Sequence, residues 1–194
     1  MDETARRIFH ILSGIVFVVL IHYDIVGKFF FAVAVVMGLL ISLMSMKIKV
    51  PVLYNVLKYL DRKHDIKSFP GKGAVFYGTG IFLSLVLFDK DIAMAAIMIL
   101  ALGDAVAPMI GKYGKIEHPL NKKKKIEGII AGAIAGALGA WLFIGWYEAL
   151  AAAIIAMAVE SIGIKMKENP LNDNILMPVT AGATVWAIRV LASI

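Results

Sequence analysis

Apolar residues run in seven blocks along the chain, at roughly 8–22, 25–46, 73–88, 92–111, 126–144, 147–164 and 175–194, with polar residues gathered between them. About 20 helical residues are needed to cross the hydrocarbon core of a bilayer, so the pattern predicts an all-α protein with about seven transmembrane helices. The first, third and sixth blocks are short for that task and require extension or local thinning of the bilayer. Between the second and third blocks lies a basic loop, 47–72, in which VPVLYNVLKYL carries apolar residues at helical spacing. That spacing predicts either a helix lying on the membrane surface or an extension of the second span. No composition shift marks a second domain, and 1–194 reads as a single polytopic membrane domain.

Composition strengthens this reading. The chain is 60% hydrophobic and 18% charged, with a mean hydropathy of +0.83, well above the range of soluble domains. Cysteine is absent, which excludes disulfides, thiolate catalysis and cysteine-bound metals. His10, His22, His64 and His118 show no metal-binding spacing. The first block follows Arg6 and Arg7 without a small-residue cleavage pattern and is expected to stay as a membrane helix.

The formal net charge is +6, but its distribution says more than its sum. With a cytoplasmic N-terminus, every lysine and arginine except Lys28, Lys90 and Arg189 falls in an inner segment. The positive-inside rule therefore predicts N-terminus in and C-terminus out, and the charge does not point to nucleic acid. Lys28, Lys90 and Arg189 sit near the outer ends, where long side chains snorkel. Little else polar is expected in that outer half.

The acids follow a different logic. Asp104 lies inside the fourth block, about 10 Å from its inner end at the helical rise. Glu127 starts the fifth block, Glu160 is one turn from the inner end of the sixth, and Asp173 precedes the seventh. Four acids from four segments thus share one side with Lys112, Lys115 and Lys122 to Lys125. A carboxylate inside a span costs several kcal/mol unless paired, hydrated or bound to a cation, so it marks a functional site by default. Alternatives stand for each residue: Asp104 paired to a lysine, Glu160 as an interfacial helix end, the lysine run as a topology signal. Together, acids beside a basic loop suit a magnesium-bound polyphosphate. Gly103, Gly111, Gly114 and Pro108 around Asp104 would let the backbone open toward a ligand, whereas the four-residue spacing of Gly128, Gly132 and Gly136 suits close helix packing. No P-loop, protein-kinase signature or GxSxG elbow occurs.

The ordered set GDAVAPMIGKYG, KKKKIEGIIAGAIAG, AVESI and DNILMPVTAG resembles the polytopic lipid kinases that include dolichol kinase, phytol kinase and CTP-dependent diacylglycerol kinase. ETARRIFHILSG is similar to that family's amino-terminal Glu, Arg and His pattern, and GKGAVFYGTG to its Gly-rich third span. The match runs from residue 3 to about 182. Lys125 stands where the family usually carries Thr or Ser, and Lys124 aligns with the family lysine. The resemblance implies transfer of the γ-phosphate of CTP to the hydroxyl of a membrane isoprenoid alcohol, at the cytoplasmic face. It implies Mg2+ held by Asp104, Glu160 and Asp173, with Asp104 as metal ligand or base and Lys124 and Glu127 in the catalytic set. Nucleotide contacts would come from Gly103, Gly111, Lys112, Gly114, Lys122, Lys123, Lys125, Gly128 and Asn174. Arg7 and His10 would meet the phosphate or the lipid headgroup, with Glu3 orienting Arg7. The small size fits a prokaryotic plasma membrane.

Two rivals remain at this point. A cytidylyltransferase making a CDP-lipid would share the Gly-Asp element, although its late PGHGG-type motif is absent here. A small cation- or proton-coupled transporter would also use intramembrane acids, but would need polar groups in both halves of the membrane.

Overall fold

The computed structural model describes residues 3–47, 69–163, 165–166, 169–170 and 172–193. Most of the basic loop, including its expected surface helix, lies outside them. Helices α1 (Glu3–His22) and α2 (Lys28–Lys47) come first, followed by α3 (Lys72–Leu87), on which α2 packs. The fourth block is one continuous rod made of α4 (Lys90–Met98), a wider π-helical turn (Ile99–Gly103) and α5 (Asp104–Gly111). Then come α6 (Ile126–Ala140), α7 (Trp146–Ile162) and α8 (Asp173–Ala192). Between α7 and α8, the two-residue strands β1 (Lys165–Met166) and β2 (Asn169–Pro170) pair antiparallel. The fold is thus helical, as the apolar blocks predict, with a short ladder that they do not show.

Local sequence explains several helix ends. The Glu148 side chain accepts the Gly145 backbone N–H at 2.9 Å and opens α7. Gly163 closes α7 in the left-handed region at φ 64°, which favours glycine. Asn172 caps α8 by accepting the Asn174 N–H at 3.0 Å.

The rod α4–α5 is the core of the bundle and packs against α1, α3, α6, α7 and α8. Ile97, Ile99, Leu100, Met157 and Met177 are fully buried around it. On α1 and α2 the apolar residues instead face outward, among them Phe9, Leu12, Val16, Phe29, Val33 and Leu40. Apolar side chains turned outward on helices of this length require a hydrocarbon solvent, so the chain is an integral membrane protein.

Among the described residues, four helical segments are long and apolar enough to cross a membrane: Glu3–His22, Lys28–Ser45, Lys90–Gly111 and Asp173–Ala192. The expected count of about seven is larger. Helix α3 has 16 residues and α6 has 15, both short apolar helices. The fifth apolar block runs to 144, but its helix stops at Ala140 and the chain turns through Trp141–Phe143. Hydropathy does not separate an apolar turn from an apolar helix, which is why the block looked longer than the rod it forms.

Candidate functional site

Asp104 opens α5 directly after the π-helical turn, at the point where the central rod nears one end of the bundle. A π turn adds a residue to the helix and re-aims the side chains beyond it. Four residues on, Pro108 has no N–H, so it cannot donate to the Asp104 carbonyl as an ordinary helical residue would. Arg7 of α1 fills that role: its Nη1 donates to the Asp104 carbonyl at 3.1 Å, while Nη2 donates to Glu3 Oε1 at 2.7 Å. Glu3 thus orients Arg7, and Arg7 holds the Asp104 backbone.

One turn along α1, His10 Nε2 lies 3.9 Å from Asp104 Oδ2. This nitrogen is buried and has no hydrogen-bond partner among the described residues. Its ring packs on Tyr77 of α3 with centroids 4.3 Å apart. Helix α1 comes so close to the π turn that a Cβ on Gly14 would collide with Ala101 and sit 2.7 Å from Tyr77 Oη. Sequence reasoning did not single out Tyr77; it lies within the Gly-rich GKGAVFYGTG, where only the glycines drew notice.

The basic loop 112–125 is a folded device. Ile126 N–H donates to the Ile116 carbonyl at 2.9 Å and His118 N–H to the Lys124 carbonyl at 3.0 Å, a hairpin-like return. Glu127 secures its base. Its Oε1 accepts the Lys115 N–H at 2.7 Å and the Ile116 N–H at 3.1 Å. Gly114 is required there, because a Cβ would lie 2.7 Å from Glu127 Oε2. Glu127, expected in the catalytic set, here clasps the loop, with both carboxylate oxygens accepting backbone N–H groups.

The tip of the loop docks on the last turn of α7. Lys124 Nζ donates to the Glu160 carboxylate and, at 2.7 Å, to the Glu160 carbonyl. Asn121 Nδ2 donates to the Ser161 carbonyl at 3.1 Å, and Ser161 Oγ lies 3.4 Å from His118 Nε2. Lys124 and Glu160 thus face each other, whereas the resemblance implied Lys124 in the catalytic set and Glu160 on the metal. Lys125 pairs with Glu117 at 3.1 Å. Lys112, Lys115, Lys122 and Lys123 are exposed, with Lys112 over the Tyr113 ring at 4.8 Å.

Asp104 and Asp173 both lie within electrostatic reach of Glu160. Even so, among the described residues no three acids or histidines converge to hold a metal ion. The expected three-carboxylate cage is not formed, because Glu160 turns to Lys124. Asp104 is 30% exposed in its side chain and has no lysine partner among the described residues, which suits a cation that keeps its waters and takes its other oxygens from phosphate.

The glycines have packing reasons. A Cβ on Gly128 would strike the Ala107 carbonyl, and Gly111 sits directly opposite. One on Gly132 would lie 2.8 Å from the Gly103 carbonyl. At Gly111 and Gly128 the free space is taken up by the close approach of α5 and α6, and at Gly103 a Cβ would meet Met157 Sδ at 3.1 Å and Met177 Cε at 3.4 Å. Asn174 Nδ2 donates to the Gly73 carbonyl at 3.3 Å, joining α8 to α3.

At the opposite end, Arg189 donates to Glu148 at 2.8 Å and 3.2 Å and to Asp91 at 2.7 Å. Lys90 donates to Asp24 at 2.6 Å. The expectation that this half holds little beyond Lys28 and Arg189 is corrected by these pairs. Positive charge alone set the expected topology, and the acids that neutralise it went uncounted.

No protein-family model matches the chain, and no solved structure matches it. An uncharacterized protein of Methanocaldococcus jannaschii is 26% identical, over 92% of this chain and 90% of its own. CTP-dependent diacylglycerol kinase 1 of Saccharomyces cerevisiae is 30% identical over 45% of this chain. Phytol kinase 1, chloroplastic, of Arabidopsis thaliana is 27% identical over 96% of this chain. The chain is a homologue of the CTP-dependent lipid kinases. It spans 30% of the length of the yeast kinase and 66% of the plant kinase. The yeast and plant relatives are lipid-alcohol kinases, and the long match to the plant kinase takes in the Asp104 element and the basic loop together.

Proposed function

We propose that this protein is a CTP-dependent lipid-alcohol kinase that phosphorylates a membrane isoprenoid alcohol of the dolichol, polyprenol or geranylgeraniol type. The observation that carries the reading is the placement of Asp104. A carboxylate without a lysine partner among the described residues stands near one end of a buried rod, 3.9 Å from His10 of a helix with an apolar outer face, and the rod leads directly into a folded cationic loop. A lipid acceptor arrives along the apolar side and a nucleotide from the basic side.

In the transfer, the acceptor oxygen bonds to the γ-phosphorus while the bond to the β–γ bridging oxygen breaks. CDP leaves with the electron pair, and the hydroxyl proton is released to water at the exposed end of the site. Phosphoryl transfer rests on positioning and charge stabilisation rather than on covalent help from the protein. Lys112, Lys115, Lys122 and Lys123 supply exposed cations for the phosphates. Glu127, Lys124 and Asn121 keep their loop in shape. Asp104, with Asp173, which like it lies within electrostatic reach of Glu160, would hold Mg2+, which when bound neutralises charge on the transferring phosphoryl group.

The same reading takes the seven apolar helices as membrane-embedded, with the N-terminus and the basic loop in the cytoplasm and the C-terminus outside. A prokaryotic plasma membrane is the proposed location. Liposomes containing geranylgeraniol, polyprenol, phytol or diacylglycerol, supplied with magnesium and γ-labelled CTP, test the reading. Label in an extractable lipid is expected, strongest with an isoprenoid alcohol. Label that enters lipid phosphates only from α-labelled CTP would reassign the protein to cytidylyl transfer.

A further inference from the structure

We infer that the bilayer is thinned along α6 to a hydrocarbon layer of about 22 Å, and that this face of the bundle is built to meet such a layer. The partner is the lipid bilayer itself, whatever reaction the protein catalyses. Helices α1, α2 and α8 each have 20 residues, about 30 Å of helix, which matches an ordinary hydrocarbon core. Helix α6 has 15 residues and rises only about 22 Å. It nevertheless faces lipid: Ile130, Ile134 and Leu138, spaced four apart on one side, are each more than half exposed.

Both ends of α6 are fixed, so the missing length is not made up by extending the helix. At one end Lys125 precedes Ile126, and Glu127 accepts the Lys115 and Ile116 N–H groups, which ties the helix start to the cationic loop. Gly128 is pressed against Gly111 at the end of the rod, so this end does not slide. At the other end the Phe143 and Ile144 N–H groups both turn to the Ala140 carbonyl, and the helix stops. Trp141 and Leu142 of this turn are more than half exposed, as are Trp146 and Tyr147 at the start of α7. Irregular backbone facing lipid does not occur inside hydrocarbon, and Trp and Tyr gather at membrane interfaces, so the turn marks a bilayer surface. One interface thus lies at Lys125 and the other at Trp141. A bilayer yields to such a mismatch at modest cost per ångström, whereas charge or open backbone in hydrocarbon costs far more. Helix α5, which carries Asp104, packs on α6, so the thinned patch borders the candidate site.

Spin labels measure the thickness directly. The chain has no cysteine, so Ile130→Cys and Leu138→Cys, each made in the full-length protein, take a single nitroxide. The two positions are about 12 Å apart along α6. In dioleoylphosphatidylcholine liposomes, the depth of each nitroxide below the interface at its own end of α6 is read from its collisions with oxygen and with a water-soluble nickel chelate. Met37→Cys on α2, about 13 Å along the helix from Lys28, supplies a reference label near the bilayer centre. In a layer of about 22 Å the depths at Ile130 and Leu138 should sum to about 10 Å. In an undeformed layer of about 30 Å they sum to about 18 Å wherever the helix sits, and to more if it tilts. A sum in that range would overturn the thinning. Moving the labelled proteins into dimyristoleoylphosphatidylcholine, whose own hydrocarbon layer is thinner, should leave the sum near its dioleoyl value. A clear fall in the thinner lipid would show that the thicker bilayer had not been deformed, and would overturn it as well.

Discussion

Arg7 Nη1 donates to the Asp104 carbonyl at 3.1 Å, and that carbonyl is the one to which Pro108 cannot donate. The proline thus creates a vacancy in the helix ladder that a side chain from α1 fills. The first helix is thereby fastened to the residue proposed to hold the metal, on the backbone rather than on the carboxylate. The carboxylate itself stays available for a ligand.

A double-mutant cycle tests this relationship. Arg7→Ala leaves the Asp104 carbonyl without its donor and should cost about 1–2 kcal/mol in detergent-solubilised thermal unfolding. In a Pro108→Ala background the helix supplies its own N–H, and the same arginine change should cost clearly less. Equal costs in both backgrounds would show that Arg7 acts only through Glu3.

The sequence carried this site unevenly, and the reasons are physical. Asp104 stood out because a carboxylate in an apolar block is expensive, and the ordered motifs around it pointed to the lipid kinases. The Arg7 contact was legible in principle, since Pro108 follows Asp104 by four residues and a missing helical donor implies an outside one. The pairing of Lys124 with Glu160 was not legible, because it depends on how a 14-residue loop folds back onto α7. The same holds for Glu127, whose position at the start of α6 fits a metal ligand and a backbone clasp equally well. The π turn left no periodic signature in a run as uniformly apolar as Ile99–Gly103.

The metal assignment predicts a specific loss. Asp104→Asn keeps shape and hydrogen bonding while removing the charge that would hold Mg2+. The variant should insert and unfold like wild type, with kcat lowered by orders of magnitude. Near-normal turnover with γ-labelled CTP would remove Asp104 from the metal site.

Lys124 and Glu160 should behave as a coupled pair. Glu160 is 8% exposed in its side chain, so Lys124→Met leaves a buried carboxylate without its cation. That change should destabilise by about 3 kcal/mol, whereas Lys124→Met with Glu160→Leu removes both charges and should recover much of it. The readout is thermal unfolding, with the alkylation rate of a cysteine placed at Lys122 reporting whether the loop has left α7. Additive effects would mean that the loop is anchored by Asn121 and His118 instead.

Close helix packing gives a prediction that no ligand affects. The Asn174 carbonyl, which lacks a helical donor because Pro178 follows it by four residues, lies against Gly80, where any Cβ would collide with it. Gly80→Ala should therefore cost about 1–3 kcal/mol through overpacking of α3 on α8. Gly27→Ala meets no atom within 4 Å and serves as the control, expected to be near neutral. Comparable melting temperatures for the two variants would show that the α3–α8 contact adjusts freely.

Phosphoryl transfer from CTP needs the basic loop to face the nucleotide pool, which makes sidedness a test of the chemistry. The chain contains no cysteine, so single cysteines can be introduced without background labelling. Lys123 lies on the exposed tip of the loop, and Lys90 starts α4 at the opposite end of the bundle. An impermeant maleimide added to intact cells should label a cysteine at Lys90 and spare one at Lys123, which reacts only after the membrane is opened. The reverse pattern would place Asp104 near the outer face, away from cytoplasmic CTP. An inverted protein could not be the proposed kinase, even with every contact in the bundle unchanged.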